Sequence, residues 1–292
     1  MVLLIGHRGA SGHRPEHTAA AVRLAIELGA DAIEPDLVPT RDGVLVVRHE
    51  PEISETTDVA SHPEFADRHR TVVVDGESYS GWFTVDFTWA ELATLRARER
   101  LPALRPESAA HDGEEGLLRL SDLLDLLPAD KVLVAELKHP ALFGALGYDL
   151  TGMFIAQLAG RVPAERLVVE CFELPILAEL RARGLAASYV YLSESIVDLA
   201  SLPEGIDGVS YDKALLLADG GRELVTAAHD AGLAVYTWTL RPENAFLAAR
   251  HRVGADPAAW GDWRAEYEEL LGLGVDGVFA DHPDLVTLLF QA

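Results

Sequence analysis

The sequence predicts an α/β fold: a TIM (β/α)8 barrel with a small insertion after its second strand. Three observations predict it. Eight short apolar runs alternate with longer helix-like stretches, as parallel β/α units require. Several of those stretches stop at a glycine (Gly29, Gly184, Gly232 and Gly274), the residue that most easily takes the left-handed turn after a helix. Three phrases, LGADAIEPD, EGIDGVSYD and LGVDGVFAD, each read as helix end or loop, turn, strand and terminal acid, and no fixed period joins them.

In order, strands are expected at 3–6, 32–37, 132–137, 167–171, 187–192, 208–210, 234–240 and 277–280. Each is a short apolar run of strand length. Amphipathic helices are expected between most of them, for example at 18–28, 174–183 and 223–231. Eight strands, each with a helix, favour a closed barrel, with an open doubly wound sheet as the alternative. Residues 51–116 break the rhythm. They carry Trp82, Phe83, Phe87 and Trp89 with Pro63, Pro102 and Pro106, and are too long for an ordinary loop. They are expected to form an insertion over the barrel mouth, inside one domain spanning 1–292.

A chain of 292 residues, 49% of them hydrophobic, has enough apolar mass for a large core, which excludes a disordered chain. The 47 acidic against 24 basic residues leave a net charge of −23, which repels nucleic acid and anionic membranes. The single cysteine, Cys171, lies in an apolar run and reads as a buried strand residue. Met1–His7 has no basic leader and too short an apolar run for a signal peptide, and no stretch approaches the ~20 apolar residues of a membrane span. The expectation is a cytoplasmic protein with no stable membrane insertion.

The chemistry gathers at strand ends, where such barrels place active sites. The first strand leads into His7-Arg8-Gly9, the second carries Glu34-Pro35-Asp36, a hairpin-like run from Asp42 ends in His49, and the third ends in Glu136-Leu137-Lys138. Residues two apart on a strand share a face, so Glu34 and Asp36 point one way, as do Glu136 and Lys138. Taken alone, His7 reads as a hydrogen-bonded histidine and Glu34 with Asp36 as a solvated face. Their apolar neighbours, however, make the strand look buried. Buried carboxylates must neutralise or find a cation. Three converging carboxylates make a site for a hard cation bound by oxygen, although Arg8 and Lys138 offer a partial alternative. Three carboxylates, one divalent ion, Arg8 and Lys138 leave one positive charge over, which suits one phosphodiester anion. Histidine's unperturbed pKa of ~6.5 suits His7 and His49 to general acid and general base roles near neutral pH.

Three blocks, HRGASGHRPEHT, GADAIEPDLVPTRDGVLVVRHE and AELKHP, resemble in order and spacing the glycerophosphodiester phosphodiesterases. TTDVASHPEF and the segment after it resemble the subgroup related to the periplasmic bacterial enzyme, and YTWT and FADHPD resemble the family's closing strands. The resemblance implies His7 and His49 as the acid–base pair. It implies Glu34, Asp36 and Glu136 as ligands of one Ca²⁺ or Mg²⁺, and Arg8 and Lys138 beside phosphate. Phe172 on strand four and Trp238 on strand seven resemble the apolar wall beside the ligand; ordinary barrel core is the plain reading of both. The implied reaction releases sn-glycerol 3-phosphate and an alcohol from a small-molecule glycerophosphodiester, through a cyclic phosphate. Two other readings stand beside it: a lysophospholipase D or phospholipase C-like enzyme, which would want the insertion's aromatics as an exposed apolar rim, and a non-catalytic phosphodiester-binding protein.

Overall fold

The computed structural model describes residues 2–74 and 76–291. In chain order its strands are β1 (Leu3–His7), β2 (Ala32–Glu34), β3 (Asp36–Pro39), β4 (Leu45–Val47), β5 (Arg70–Val74), β6 (Glu77–Gly81), β7 (Val132–Leu137), β8 (Leu167–Cys171), β9 (Ser188–Ser193), β10 (Gly208–Asp212), β11 (Ala234–Leu240) and β12 (Gly277–Ala280). β1, β2 with β3, and β7 to β12 pair in parallel around a closed ring, and β12 returns to β1 from Leu3↔Gly277 to Gly6↔Ala280. This is the expected eight-stranded barrel rather than an open doubly wound sheet.

Two details differ from the expectation. The second strand is two pieces, because Pro35 has no N–H to give to the ladder. Its carbonyl still accepts from Glu136 N at 3.0 Å, so β2 and β3 run on in register beside β7. β3 also turns back through an antiparallel hairpin into β4, pairing Leu37↔Val47 and Pro39↔Leu45. That return brings His49 to the end of the barrel where β2 ends.

The barrel interior is a small apolar cluster of Ile5, Ala32, Val134, Val168, Val190 and Phe279. Two residues further along the same faces stand His7, Glu34, Glu136 and Glu170. One sheet periodicity thus fills the floor with hydrocarbon and the mouth with ionisable groups. Two larger apolar clusters lie outside, between strands and helices. The first helix, Ala19–Glu27, starts at Thr18, whose hydroxyl accepts from Ala21 N at 3.1 Å. The loop before it passes close under the helix at Gly9, φ 87°, where a Cβ would lie 2.6 Å from a backbone carbon of Ala21.

Residues 51–116 fold as short helical turns and the β5–β6 hairpin. Phe83 and Phe87 are buried, and Trp82 and Trp89 are half-buried. Phe65 meets Phe87 edge-on at 5.0 Å, and Ile53, Phe65, Phe87, Leu92 and Leu95 belong to the same cluster as the barrel's helices. Phe83 and Phe87 are therefore core, and Trp82 and Trp89 pack half-buried against it rather than standing out as an apolar rim. No helix among the described residues is long and apolar enough to cross a membrane.

Candidate active site

A cavity of about 950 Å³ opens at the strand ends. His7, Arg8, Glu34, His49, Glu136, Lys138, Phe172 and Trp238 all line it. Asp36 lies just behind, 1% exposed, with its carboxylate already engaged. It accepts from His17 Nε2 at 2.9 Å, and Lys138 Nζ and Arg8 Nε stand 3.0 and 3.2 Å away. Burial opposes its charge, yet Lys138, Arg8 and the hydrogen bond from His17 hold it well below the usual carboxylate range.

Among the described residues, three acids bring oxygens within 4.8 Å of one another: Glu34, Glu136 and Glu170. The sequence reading had missed Glu170. It is the lone charge in the apolar strand LVVEC, and in register it faces Glu136 on β7. Its charge also cancels the single positive charge left by the expected count. Burial, then the neighbouring acids, raises Glu34 and Glu170 well above the ordinary carboxylate value. Burial pushes Glu136 up to about 7, against the pull of Lys138 Nζ at 2.6 Å. Glu34 Oε1 and Glu170 Oε2 are buried and have no hydrogen-bond partner among the described residues. Stranded acidic oxygens of this kind fit a hard divalent cation.

His7 ends β1, and its Nδ1 lies 2.6 Å from Asp281 Oδ1, just past β12. Burial, then Arg8, lowers its pKa to about 4 although Asp281 pulls the other way. His49 Nδ1 lies 2.6 Å from Glu50 Oε1. Its side chain is 29% exposed, which softens the desolvation, but Arg8 and Lys138 add to it and hold the imidazole well below its usual value. A carboxylate can only accept, so Nδ1 carries the hydrogen in both rings, and each neutral imidazole keeps a basic Nε2. Arg8 has φ 59°, a strained left-handed conformation, and its backbone N–H donates to Glu34 Oε2 at 3.0 Å. Its guanidinium is held by Glu16 at 3.0 Å.

Phe172 sits one residue beyond β8 rather than on it and is 38% exposed. It meets Trp238 edge-on at 5.6 Å, and Lys138 Nζ lies 5.6 Å above its ring. The two aromatics thus form a wall of the cavity rather than plain core. Cys171 is buried and its thiol donates to Leu137 O at 3.0 Å; burial pushes its pKa up, away from reactivity. No local pattern pairs His7 with Asp281, 274 residues on, or brings Arg100 to the cavity and Arg105 behind it.

The arrangement joins four capacities: an oxygen-rich cation site, two oriented imidazoles, two cations for an anion and an aromatic wall. Comparison with known proteins gives the same direction. The family model described as "Glycerophosphoryl diester phosphodiesterase family" matches residues 7–285. A glycerophosphodiester phosphodiesterase of Arabidopsis thaliana is 32% identical over 95% of this chain and 82% of its own length. One of Bacillus subtilis is 26% identical over 97% and 85%. Among solved structures, a Silicibacter pomeroyi protein described as a glycerophosphoryl diester phosphodiesterase superposes with TM-score 0.73 at 25% identity, covering 99% of this chain and 94% of that one. An Oleispira antarctica phosphodiesterase, solved in complex with the product sn-glycerol-3-phosphate, shares the fold with TM-score 0.71 at 20% identity, over 99% and 96%. The chain belongs to the glycerophosphoryl diester phosphodiesterase family, enzymes that hydrolyse glycerophosphodiesters.

Proposed function

We propose that the chain is a metal-dependent hydrolase of small glycerophosphodiesters, such as glycerophosphocholine or glycerophosphoethanolamine. It releases sn-glycerol 3-phosphate, the product held by the Oleispira relative, and the free alcohol. The observation that carries this reading is the set of stranded carboxylate oxygens lying in one cavity with two imidazoles.

Glu34 and Glu136 would hold one Ca²⁺ or Mg²⁺, with Glu170 beside them and Asp36 as the further acid that the family resemblance implies. When bound, the ion supplies Lewis-acid stabilisation of charge on a phosphoryl oxygen. Lys138 now neutralises Asp36 and Glu136. Once those acids are otherwise neutralised, its ammonium is free for the phosphate. Arg8 adds a fixed positive charge, because its guanidinium is locked by Glu16. His7 and His49 divide the proton transfers: one Nε2 takes the proton of the attacking hydroxyl, and the other ring, neutral in the free site and protonated beside the bound phosphate anion, delivers one to the leaving alkoxide. Phe172 and Trp238 wall the substrate.

The test is turnover of a glycerophosphodiester panel by metal-stripped protein, then with Ca²⁺ or Mg²⁺ restored, beside Glu34→Gln. The expected result is loss of activity on stripping, recovery with one of the ions, and weaker metal binding in the variant. Full turnover by protein shown to be metal-free would sink the metal-dependent reading.

A further inference from the structure

The two candidate proton-transfer histidines have matching supports. His7 Nδ1 leans on Asp281, and His49 Nδ1 leans on Glu50, each at 2.6 Å. Each of those acids also meets an arginine from one stretch of residues 51–116, Asp281 through its second oxygen and Glu50 through the same oxygen that His49 uses. Arg105 Nη2 lies 2.6 Å from Asp281 Oδ2, the oxygen that His7 does not use. Arg100 Nη1 lies 3.4 Å from Glu50 Oε1 and its Nε 3.2 Å from Glu16 Oε2. Arg105 is 5% exposed and spreads all three nitrogens: Nε donates to Glu243 at 2.7 Å and Nη1 to Ser11 O at 3.1 Å. Arg241 also reaches Asp281 Oδ2, at 2.7 Å; like Arg100 it lines the substrate cavity, whereas Arg105 approaches from behind.

The stretch that bears both arginines is itself braced. Arg98 N donates to Thr56 O at 2.9 Å, and Glu99 Oε1 and Oε2 accept from Leu101 N and Ser108 Oγ at 2.8 and 2.5 Å. Glu99 N in turn donates to Asp112 at 2.7 Å. These bonds fix the two arginines relative to each other. Ring orientation and tautomer are set by what a histidine's second nitrogen touches, and that partner is steadied in turn by its own contacts.

We propose that Arg100 and Arg105 are positioning residues for the reaction, each acting through a carboxylate on one histidine, so that residues 96–112 set the geometry of both proton transfers. This rests on the reading that His7 and His49 carry the protons.

The experiment is two double-mutant cycles on the full chain with its metal: Arg100→Ala with His49→Ala, and Arg105→Lys with His7→Ala. Arg105 is tested as lysine because alanine would strand Glu243 and weaken the grip on Asp281; melting curves confirm that each variant folds. The expected result is kcat lowered ~10-fold by each arginine change, with KM moved less than ~3-fold, and little further loss once the matching histidine is gone. Guanidinium ion should restore part of the rate of Arg100→Ala, since that site opens to the cavity, but none in the double variant. Native kcat in both arginine variants would overturn the proposal. So would an undiminished ~10-fold loss in the histidine-free backgrounds, because the arginines would then act by another route. Native turnover in His7→Ala and His49→Ala would instead show that the proton-transfer reading is at fault, and the proposal would fall with it.

Discussion

At the scale of single residues, the site depends on charges denied water. His7 is neutral at working pH because burial and Arg8 both oppose its proton. A neutral imidazole whose Nδ1–H is given to Asp281 is a base without further adjustment. His7→Ala and His49→Ala are each expected to lower turnover by ~10²–10⁴ with the fold intact, and the double variant by much less than the product. Steady-state rates with circular dichroism check this; near-native turnover in either single variant would remove that residue from its role. The nucleophile is argued from the same side chains. Glu34, Asp36, Glu136 and Glu170 are held by cations or claimed by the metal reading, so none of these four is free to attack phosphorus. A substrate hydroxyl fixed beside phosphorus gains from a very large effective concentration. A substrate with hydrogen in place of the glycerol 2-hydroxyl should therefore bind and turn over very slowly. Hydrolysis of that analogue at the natural rate would point to direct attack by water.

At the scale of elements, strand periodicity carried most of what was readable. Glu34, Asp36, Glu136 and Lys138 stood out because charge on an apolar strand is costly, and the two-residue repeat put them on one face. Glu170 obeys the same rule, but the reading of its strand settled on the neighbouring cysteine. The break at Pro35 was not anticipated in the strand expected at 32–37, although the missing N–H accounts for it, and the β4 return that delivers His49 was visible only as a hairpin-like run. Asp281 and Arg105 were beyond reach, since a partner hundreds of residues away leaves no local pattern. Packing between elements is equally hidden, and Gly9 is the example. Its φ of 87° disfavours any side chain, and a Cβ would collide with the backbone of the following helix. Gly9→Ala is expected to destabilise the protein by ~2–4 kcal/mol, combining backbone strain with overpacking. Urea unfolding measures it; a loss within ~0.5 kcal/mol would mean that the helix shifts freely.

At the scale of the whole molecule, the acidic mouth links stability, metal and pH. In the metal-free fold Glu136 is raised to about 7, while an unfolded carboxyl sits near 4.5. The native state then holds the extra proton, so this contribution to stability is fully present below about 4.5 and is lost as pH rises through about 7. A bound cation needs the ionised form, so its affinity should climb across the same window as protons are released. Ca²⁺ or Mg²⁺ at a hundred times its dissociation constant should stabilise the fold by ~2.7 kcal/mol. Melting curves with and without metal should separate little at pH ~5 and clearly at pH ~8. Equal separation at both would show that the proton and the metal do not compete.

The seam where β12 meets β1 sets an order in time. His7 ends β1, the barrel strand that is made first, and its partner Asp281 follows β12, the barrel strand that is made last. Seven strand positions can form beforehand, but the imidazole has no carboxylate to lean on and the ring has a gap. A growing chain therefore has all its candidate cation-binding acids once β8 is made, but not yet a complete proton-transfer apparatus. On the proposed roles, full activity waits for the last strand and the turn beyond it, so a fragment ending before β12 is expected to be an unclosed sheet with little turnover.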